Sequence, residues 1–97
     1  MAELLNIENI AEKMGLGSPW EISEGKLHAD FVFKDFLEAF EFAKKIAEAA
    51  NSQNHHPDIF ISYNKVTLTL WSHDLGGITD QDVEMAKVIQ DLTKHQA

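Results

Sequence analysis

Three histidines in the second half of the chain have the residue type and spacing for proton chemistry. His55 and His56 are adjacent and precede Pro57, and His73 follows a Trp-Ser pair further along the chain. The ordinary pKa of imidazole is about 6.5, so histidines can both donate and accept protons near neutral pH. The sequence therefore indicates a candidate acid–base site, if the fold brings these side chains together.

The residues between the histidines predict a hairpin that would do so. Apolar and polar residues alternate over Ile59–Tyr63 and again over Val66–Trp71, which is the pattern of two half-buried strands. The ends of an antiparallel hairpin lie side by side. We therefore expect His55 and His56, before the first strand, to meet His73, after the second, at one rim of the sheet.

Three further elements are predicted in the first third of the chain. Asn6 is positioned to cap a short helix over Ile7–Met14. A first hairpin is predicted where Trp20–Ser23 and Lys26–Phe33 flank a Glu-Gly turn.

Two longer helices are predicted from capping signals and apolar spacing. Asp35, with Glu38 three residues later, resembles a capping box, and the same signature recurs from Thr79 to Asp82. The predicted apolar stripes are Phe36, Phe40, Ala43, Ala47 and Ala50 in one helix and Met85, Ala86, Val88, Ile89 and Leu92 in the other. The order αββαββα predicts one α+β domain over residues 1–97, with three helices packed on one face of a four-stranded antiparallel sheet.

Composition limits the function. The chain is 44% hydrophobic and 25% charged, which is typical of a globular domain. A net charge of -8 would repel a phosphate backbone, so we expect no direct binding to nucleic acid. No apolar run has the length of a membrane span, the first residues lack the basic start of a signal peptide, and there is no cysteine. These features favour a cytoplasmic protein without a membrane partner.

Self-association is expected from size and topology. A domain of this length buries only about 60 to 70% of the surface of its unfolded chain, and an unpaired edge strand can pair with a second copy. We therefore expect a homo-oligomer. Phe42, which falls off the predicted stripe of its helix, could belong to that contact or pack against the chain's own hairpin.

Other chemistries fit the sequence less well. Histidines with carboxylates such as Asp58 and Asp74 are zinc-type ligands, but adjacent histidines project apart and no helix carries a histidine pair spaced for zinc. No serine has a nucleophile-elbow sequence around it. Asp82 has two roles that can coexist: it can cap the third helix, and it can place a carboxylate near His73.

The chain resembles the pterin-4a-carbinolamine dehydratases over the segment from His55 to Asp82, HHPDIFISYNKVTLTLWSHDLGGITDQD. The features that match are the His-His-Pro run, Tyr63, a hydroxyl residue before His73, a Gly-Gly pair and the final aspartate. The resemblance reaches back through FVFKDFLEAFEFAKKIAEAA and covers nearly the whole chain.

This resemblance implies an enzyme that removes water from 4a-hydroxytetrahydropterin to give quinonoid dihydropterin, in tetrahydrobiopterin recycling. It also implies an αββαββα fold, a homodimer or homotetramer, and neither a metal nor a bound cofactor. By matching position, His55 and His73 would protonate the departing 4a-hydroxyl, one for each face of the ring. His56 would be the third catalytic histidine, which binds and orients the pterin and could help with the N5 proton.

The other motif positions imply supporting roles. Pro57, Tyr63 and Asp82 would bind or orient the substrate, with Asp82 orienting His73. General acid–base catalysis of this elimination typically contributes a factor of about 10² to 10⁴. The flat pterin would need a flat or apolar surface, which Trp71 or Phe60 could supply.

Two positions depart from the family's pattern. Asn51 stands where many members carry an acidic residue, so any contact of that carboxylate with a histidine or the pterin is changed. Ser72 replaces the usual threonine and keeps a hydroxyl. If the missing carboxylate tunes a histidine, the chain could have low activity or bind a pterin for another purpose.

Two other roles stay open at this point. Some animal members of the family are also dimerisation cofactors of a transcription factor, through a helix surface, and a role in molybdopterin metabolism would use the same site. The intact histidines favour an enzyme, whereas an exposed apolar stripe on the second helix would favour a protein partner.

Overall fold

The computed structural model describes residues 3–15 and 18–94 of the chain. Gly17, in the predicted break after the first helix, and His95, which the sequence predicts to be a surface residue, lie outside them. The element order is αββαββα, as predicted. The helices are α1 (Ile7–Met14), α2 (Phe36–Gln53) and α3 (Asp80–Lys94), and the strands are β1 (Glu21–Ser23), β2 (Lys26–Val32), β3 (Asp58–Ser62) and β4 (Lys65–Leu70).

The four strands form one antiparallel sheet in the order β1-β2-β4-β3. The second and fourth strands are therefore central, and β1 and β3 are its edges. Alternate residues of the central strands are buried against the helices, among them Leu27, Leu68 and Leu70. The opposite face carries polar pairs, such as Thr67 donating to Asp30 at 2.6 Å.

The predicted capping residues begin the helices. The side chain of Asn6 accepts from the backbone N–H of Asn9 at 2.8 Å, and that of Asp35 accepts from Glu38 at 2.9 Å. These oxygens satisfy N–H groups that have no partner inside a helix. Within the described residues, no helix has the length and apolar character needed to cross a membrane.

The buried face of α2 differs from the predicted stripe. Phe36 and Phe40 are about half exposed, at 52% and 51%, whereas Phe42 is fully buried. Phe42 packs against Phe31 and Phe33 with ring centroids 5.3 and 4.8 Å apart. Of the predicted stripe, Ala43 and Ala50 are buried, so the spacing failed at the phenylalanines, which occur on both sides of this helix. The alternative placement of Phe42 against the chain's own hairpin is confirmed. The buried residues of α2 are Ala39, Phe42, Ala43, Ile46 and Ala50.

The second hairpin turns one residue earlier than the alternation suggests. The third strand ends at Ser62, and Tyr63 lies in the turn with φ of +51° and its side chain 66% exposed. The prediction of Tyr63 as a strand residue is therefore wrong. Its placement matters for the site, because this turn is the end of the hairpin away from the histidines.

Candidate active site

The two histidine segments meet at one end of the second hairpin. Asp58, the first residue of β3, pairs with Thr69, which is the penultimate residue of β4. His55 and His56 therefore precede one strand at the place where His73 follows the other. A pocket of about 440 Å³ is lined by Asn54, His55, His56, Trp71, Ser72, His73, Asp74 and Gln81. This confirms the predicted convergence of the three imidazoles.

A left-handed residue turns the chain from α2 into this pocket. Asn54 ends the helix with φ of +52° and ψ of +40°, and the backbone N–H of His55 donates to the carbonyl of Ala50 at 3.1 Å. Asparagine tolerates this conformation better than most residues other than glycine. The exit of the helix thus directs the two adjacent histidines to the rim of the sheet.

His55 is paired with a buried carboxylate. Its Nε2 lies 2.5 Å from Oδ1 of Asp82, whose side chain is fully buried, while the His55 side chain is 13% exposed. Because the carboxylate can only accept, Nε2 carries the proton in this bond. The remaining ring nitrogen, Nδ1, is then the one that can exchange a proton with a substrate.

The second oxygen of Asp82 is held by the start of α3 and the end of the hairpin. Oδ2 accepts from the hydroxyl of Ser72 at 2.8 Å and from the backbone N–H of Thr79 at 2.9 Å. The hydroxyl of Thr79 lies 2.9 Å from that of Ser72 and accepts from the backbone N–H of Gln81 at 3.2 Å. A buried carboxylate is tolerated where such donors replace water. The predicted capping role of Asp82 is confirmed.

The expectation that Asp82 orients His73 is wrong. Both carboxylate oxygens are engaged by His55, Ser72 and Thr79. The first turn of α3 directs Asp82 inward beneath the pocket, whereas His73 is exposed in the turn that follows Ser72. The carboxylate of Asp82 therefore positions His55.

His56 is paired with the residue that departs from the family pattern. Its Nε2 lies 3.0 Å from the amide oxygen of Asn51, one turn back in α2. The amide oxygen accepts a hydrogen bond from the Nε2–H group of His56. This again leaves Nδ1 as the nitrogen that can exchange a proton with a substrate. Asn51 reproduces the hydrogen bond that a carboxylate would make but not its charge.

His73 is supported by an aromatic ring. Its centroid lies 4.0 Å from that of Trp71, with 34° between the planes, and Nζ of Lys26 lies 4.4 Å from the centre of the same indole. The tight turn after Ser72 has Gly76 at φ of +70°, a backbone conformation that favours glycine. The Gly-Gly pair of the matched motif lies at the end of this turn.

The remaining predicted site residues lie apart from the pocket lining. Pro57 follows His56 and leads into β3, and Tyr63 is at the opposite end of the hairpin. Phe60 is 63% exposed on the edge strand and does not line the pocket. Within the described residues, no cluster of three or more histidine or carboxylate side chains is arranged to hold a metal ion.

Two residues of the pocket lining, Asn54 and Gln81, were not among the predicted site residues. The buried bond from Ser72 to Asp82 was not predicted either. An asparagine after a long helix is a recognisable signal for a left-handed cap. The direction of the Ser72 hydroxyl has no comparable local signal.

Comparison with known proteins agrees with the sequence resemblance. A family model described as pterin 4 alpha carbinolamine dehydratase matches residues 3–92. The chain belongs to this family. It is 47% identical over 92 residues to a protein of Nostoc punctiforme provisionally named pterin-4-alpha-carbinolamine dehydratase, covering 95% of this chain and 99% of that one. A protein of Sulfurisphaera tokodaii with the same provisional name is 44% identical over 88 residues, covering 91% and 95%.

Two solved structures share the fold. A transcriptional coactivator/pterin dehydratase from Brucella melitensis superposes with a TM-score of 0.86 at 30% identity, over 93% of this chain and 98% of that one. A pterin dehydratase-like protein identified as a RuBisCO assembly factor in the alpha-carboxysome superposes with a TM-score of 0.62 at 20% identity, over 75% and 84%. The second likeness concerns the fold alone.

Proposed function

We propose that this chain is a dehydratase that converts 4a-hydroxytetrahydropterin into quinonoid dihydropterin and water, in tetrahydrobiopterin recycling. The observation that carries the proposal is the convergence of three imidazoles on one pocket, one of them paired with a buried carboxylate. Membership of the dehydratase family supports the choice of a pterin as the substrate. Neither a metal nor a cofactor is part of the proposal.

The reaction requires one proton to be delivered and another to be removed. A proton is transferred to the hydroxyl on C4a, the C–O bond breaks to release water, and the N5 lone pair forms the C4a=N5 double bond. The N5 proton is then lost, so the net change is the loss of one water. Positioned acids and bases with pKa values near the working pH are suited to both transfers.

His55 has the geometry of the proton donor. Its Nε2 proton is held by Asp82, so the protonated ring presents its second N–H, on Nδ1, to a leaving hydroxyl. The buried carboxylate of Asp82 balances the charge of the imidazolium. His73, across the pocket, is proposed as the corresponding donor on the other face of the pterin ring.

His56 is proposed to bind the pterin and to accept the N5 proton. Its bond to Asn51 fixes the proton on Nε2 and leaves the lone pair on Nδ1. A carboxylate would stabilise the positive charge that His56 gains as it takes up this proton, and the neutral amide of Asn51 does so less. An asparagine at position 51, in place of the acidic residue, therefore changes the charge beside His56 but keeps the hydrogen bond that holds its ring.

The test is the rate of dehydration of 4a-hydroxytetrahydropterin generated in situ by a hydroxylase. We expect the wild-type protein to exceed the spontaneous rate and the His55→Ala variant to lose at least about a hundredfold in kcat. His28→Ala is the matched control, because His28 lies on the outer sheet face and bonds to Thr69 and the Ser23 carbonyl. A wild-type rate equal to the spontaneous one would refute the proposal.

We also propose that the chain forms a homodimer or homotetramer in the cytoplasm. Support comes from the open edge of β3 and from three exposed apolar side chains at the start of α2: Phe36, Leu37 and Phe40 are 52%, 68% and 51% exposed. We expect light scattering to give a dimer or tetramer mass that Leu37→Glu reduces. A monomer mass for the wild-type protein would contradict this part of the proposal.

The same exposed patch favours a second candidate, binding to a different protein. The Brucella melitensis neighbour is described as both a transcriptional coactivator and a pterin dehydratase. A wild-type chain that is monomeric and has no dehydratase activity would favour this candidate. An active oligomer that depends on Leu37 would favour the enzyme.

A further inference from the structure

His73 differs from the other two pocket histidines in how it is supported. His55 and His56 each have a hydrogen bond from a ring nitrogen to another side chain. Within residues 3–15 and 18–94, the ring of His73 makes no such bond. It lies in an exposed turn, and its ring stacks on Trp71 at 4.0 Å. An exposed side chain without a hydrogen bond would otherwise sample several rotamers.

Two neighbouring groups lie close to the indole ring of Trp71. The indole is only partly exposed, with His73 and the ammonium group of Lys26 both within 4.4 Å of its ring centre. A pterin stacked on the face of the indole that His73 covers would have to displace that imidazole, although the indole also lines the pocket. These contacts give the indole a role toward His73, which differs from the predicted role of packing against the substrate.

The indole N–H indicates that ring packing is what keeps Trp71 in place. Nε1 is buried, and it has no hydrogen-bond partner among the described residues. A buried, unpaired donor destabilises a fold, and phenylalanine would avoid that cost while retaining an aromatic ring. The contacts that favour the indole are those of its faces, with an imidazole and a cation.

We infer that Trp71 is a positioning residue that holds the imidazole of His73 against the pocket, and that it does not bind the pterin directly. This inference rests on the proposed dehydratase activity, in which His73 acts on one face of the substrate. The three histidines then have three different supports: a carboxylate for His55, an amide for His56 and an indole for His73.

The ring contact is tested by NMR spectroscopy without any substrate. Ring current from the indole should move the His73 imidazole proton signals upfield in the wild-type protein. Trp71→Leu should return them to their ordinary position, and Trp71→Phe should keep part of the shift. The His73→Asn variant assigns the signals, and unshifted signals in the wild-type protein would overturn the inference.

The positioning role is tested by steady-state kinetics and a double-mutant cycle. On the 4a-hydroxy stereoisomer whose hydroxyl faces His73, we expect Trp71→Leu to lower kcat by roughly three- to tenfold, the equivalent of one aromatic pair, with KM changed by less than about twofold. Trp71→Phe should recover most of the rate. In the His73→Ala background, Trp71→Leu should have no further effect on the activity that remains, because its role is exerted through His73.

The outcomes separate this inference from the proposed function. A raised KM with kcat retained, or an additive loss in the His73→Ala background, would mean that Trp71 contacts the pterin and would overturn the inference alone. A wild-type protein without dehydratase activity would overturn the proposed function, and the inference with it, even if the ring contact is seen by NMR.

Discussion

Replacing Asp82 by asparagine should separate the catalytic use of this carboxylate from its structural use. The amide has one oxygen, and the position of Oδ2 needs an acceptor for Ser72 and Thr79. We therefore expect the amide oxygen to occupy that position and the NH₂ group to face His55. Nε2 of His55 would then have to accept, which moves its proton to Nδ1 and removes the charge that balances the imidazolium.

The expected magnitudes follow from the bonds that change. Two hydrogen bonds to a charged oxygen become bonds to a neutral one, and each loses about 1 kcal/mol. The free energy of unfolding should fall by about 2 kcal/mol, which lowers Tm by roughly 8 to 16 °C in a domain of this size. The kcat should fall about a hundredfold, since the acid form of His55 is no longer supported.

The assay measures the dehydration rate at a temperature well below the Tm of the variant, together with thermal unfolding. Ser72→Ala is the matched control, because it removes one hydrogen bond to Asp82 and leaves both the carboxylate and His55 in place. We expect it to lower stability by about 1 to 2 kcal/mol and to change kcat by less than about threefold. An Asp82→Asn protein that keeps its kcat while losing stability would show that Asp82 is only a helix cap.

Three further predictions test other parts of the molecule. Asn51→Asp should raise kcat by up to about fivefold, because a carboxylate stabilises positive charge on His56 by about 1 kcal/mol more than an amide. An unchanged kcat would contradict the proposed proton transfer to His56. Phe42→Ala should cost about 3 to 5 kcal/mol in urea unfolding, since the ring is fully buried, and a loss below about 1 kcal/mol would contradict the assigned core. Tyr63→Phe should keep kcat within about twofold of the wild-type value, because Tyr63 lies in the hairpin turn at the end away from the pocket of its own protomer. A large loss would indicate that the Tyr63 hydroxyl reaches the pocket of another copy of the chain.

Local signals in the sequence were enough for the elements and for the convergence of the histidines. Alternation predicted both hairpins, and an antiparallel hairpin necessarily brings His55 and His73 to the same end. Capping residues such as Asp35 and Asp82 marked helix starts, because their side chains bond to backbone groups three residues away. These are interactions over short stretches of chain, which a single sequence contains in full.

The tertiary structure decided how each histidine is supported. Asp82 is bonded to His55 and not to His73, and Trp71 is covered by His73 and Lys26. It also decided that α2 buries Phe42, and that the strands are arranged as β1-β2-β4-β3. A hydrogen bond or a ring stack depends on differences of about 1 Å in the positions of residues far apart in sequence. Packing of the helices on the sheet sets those positions, and periodicity within one element carries no information about them.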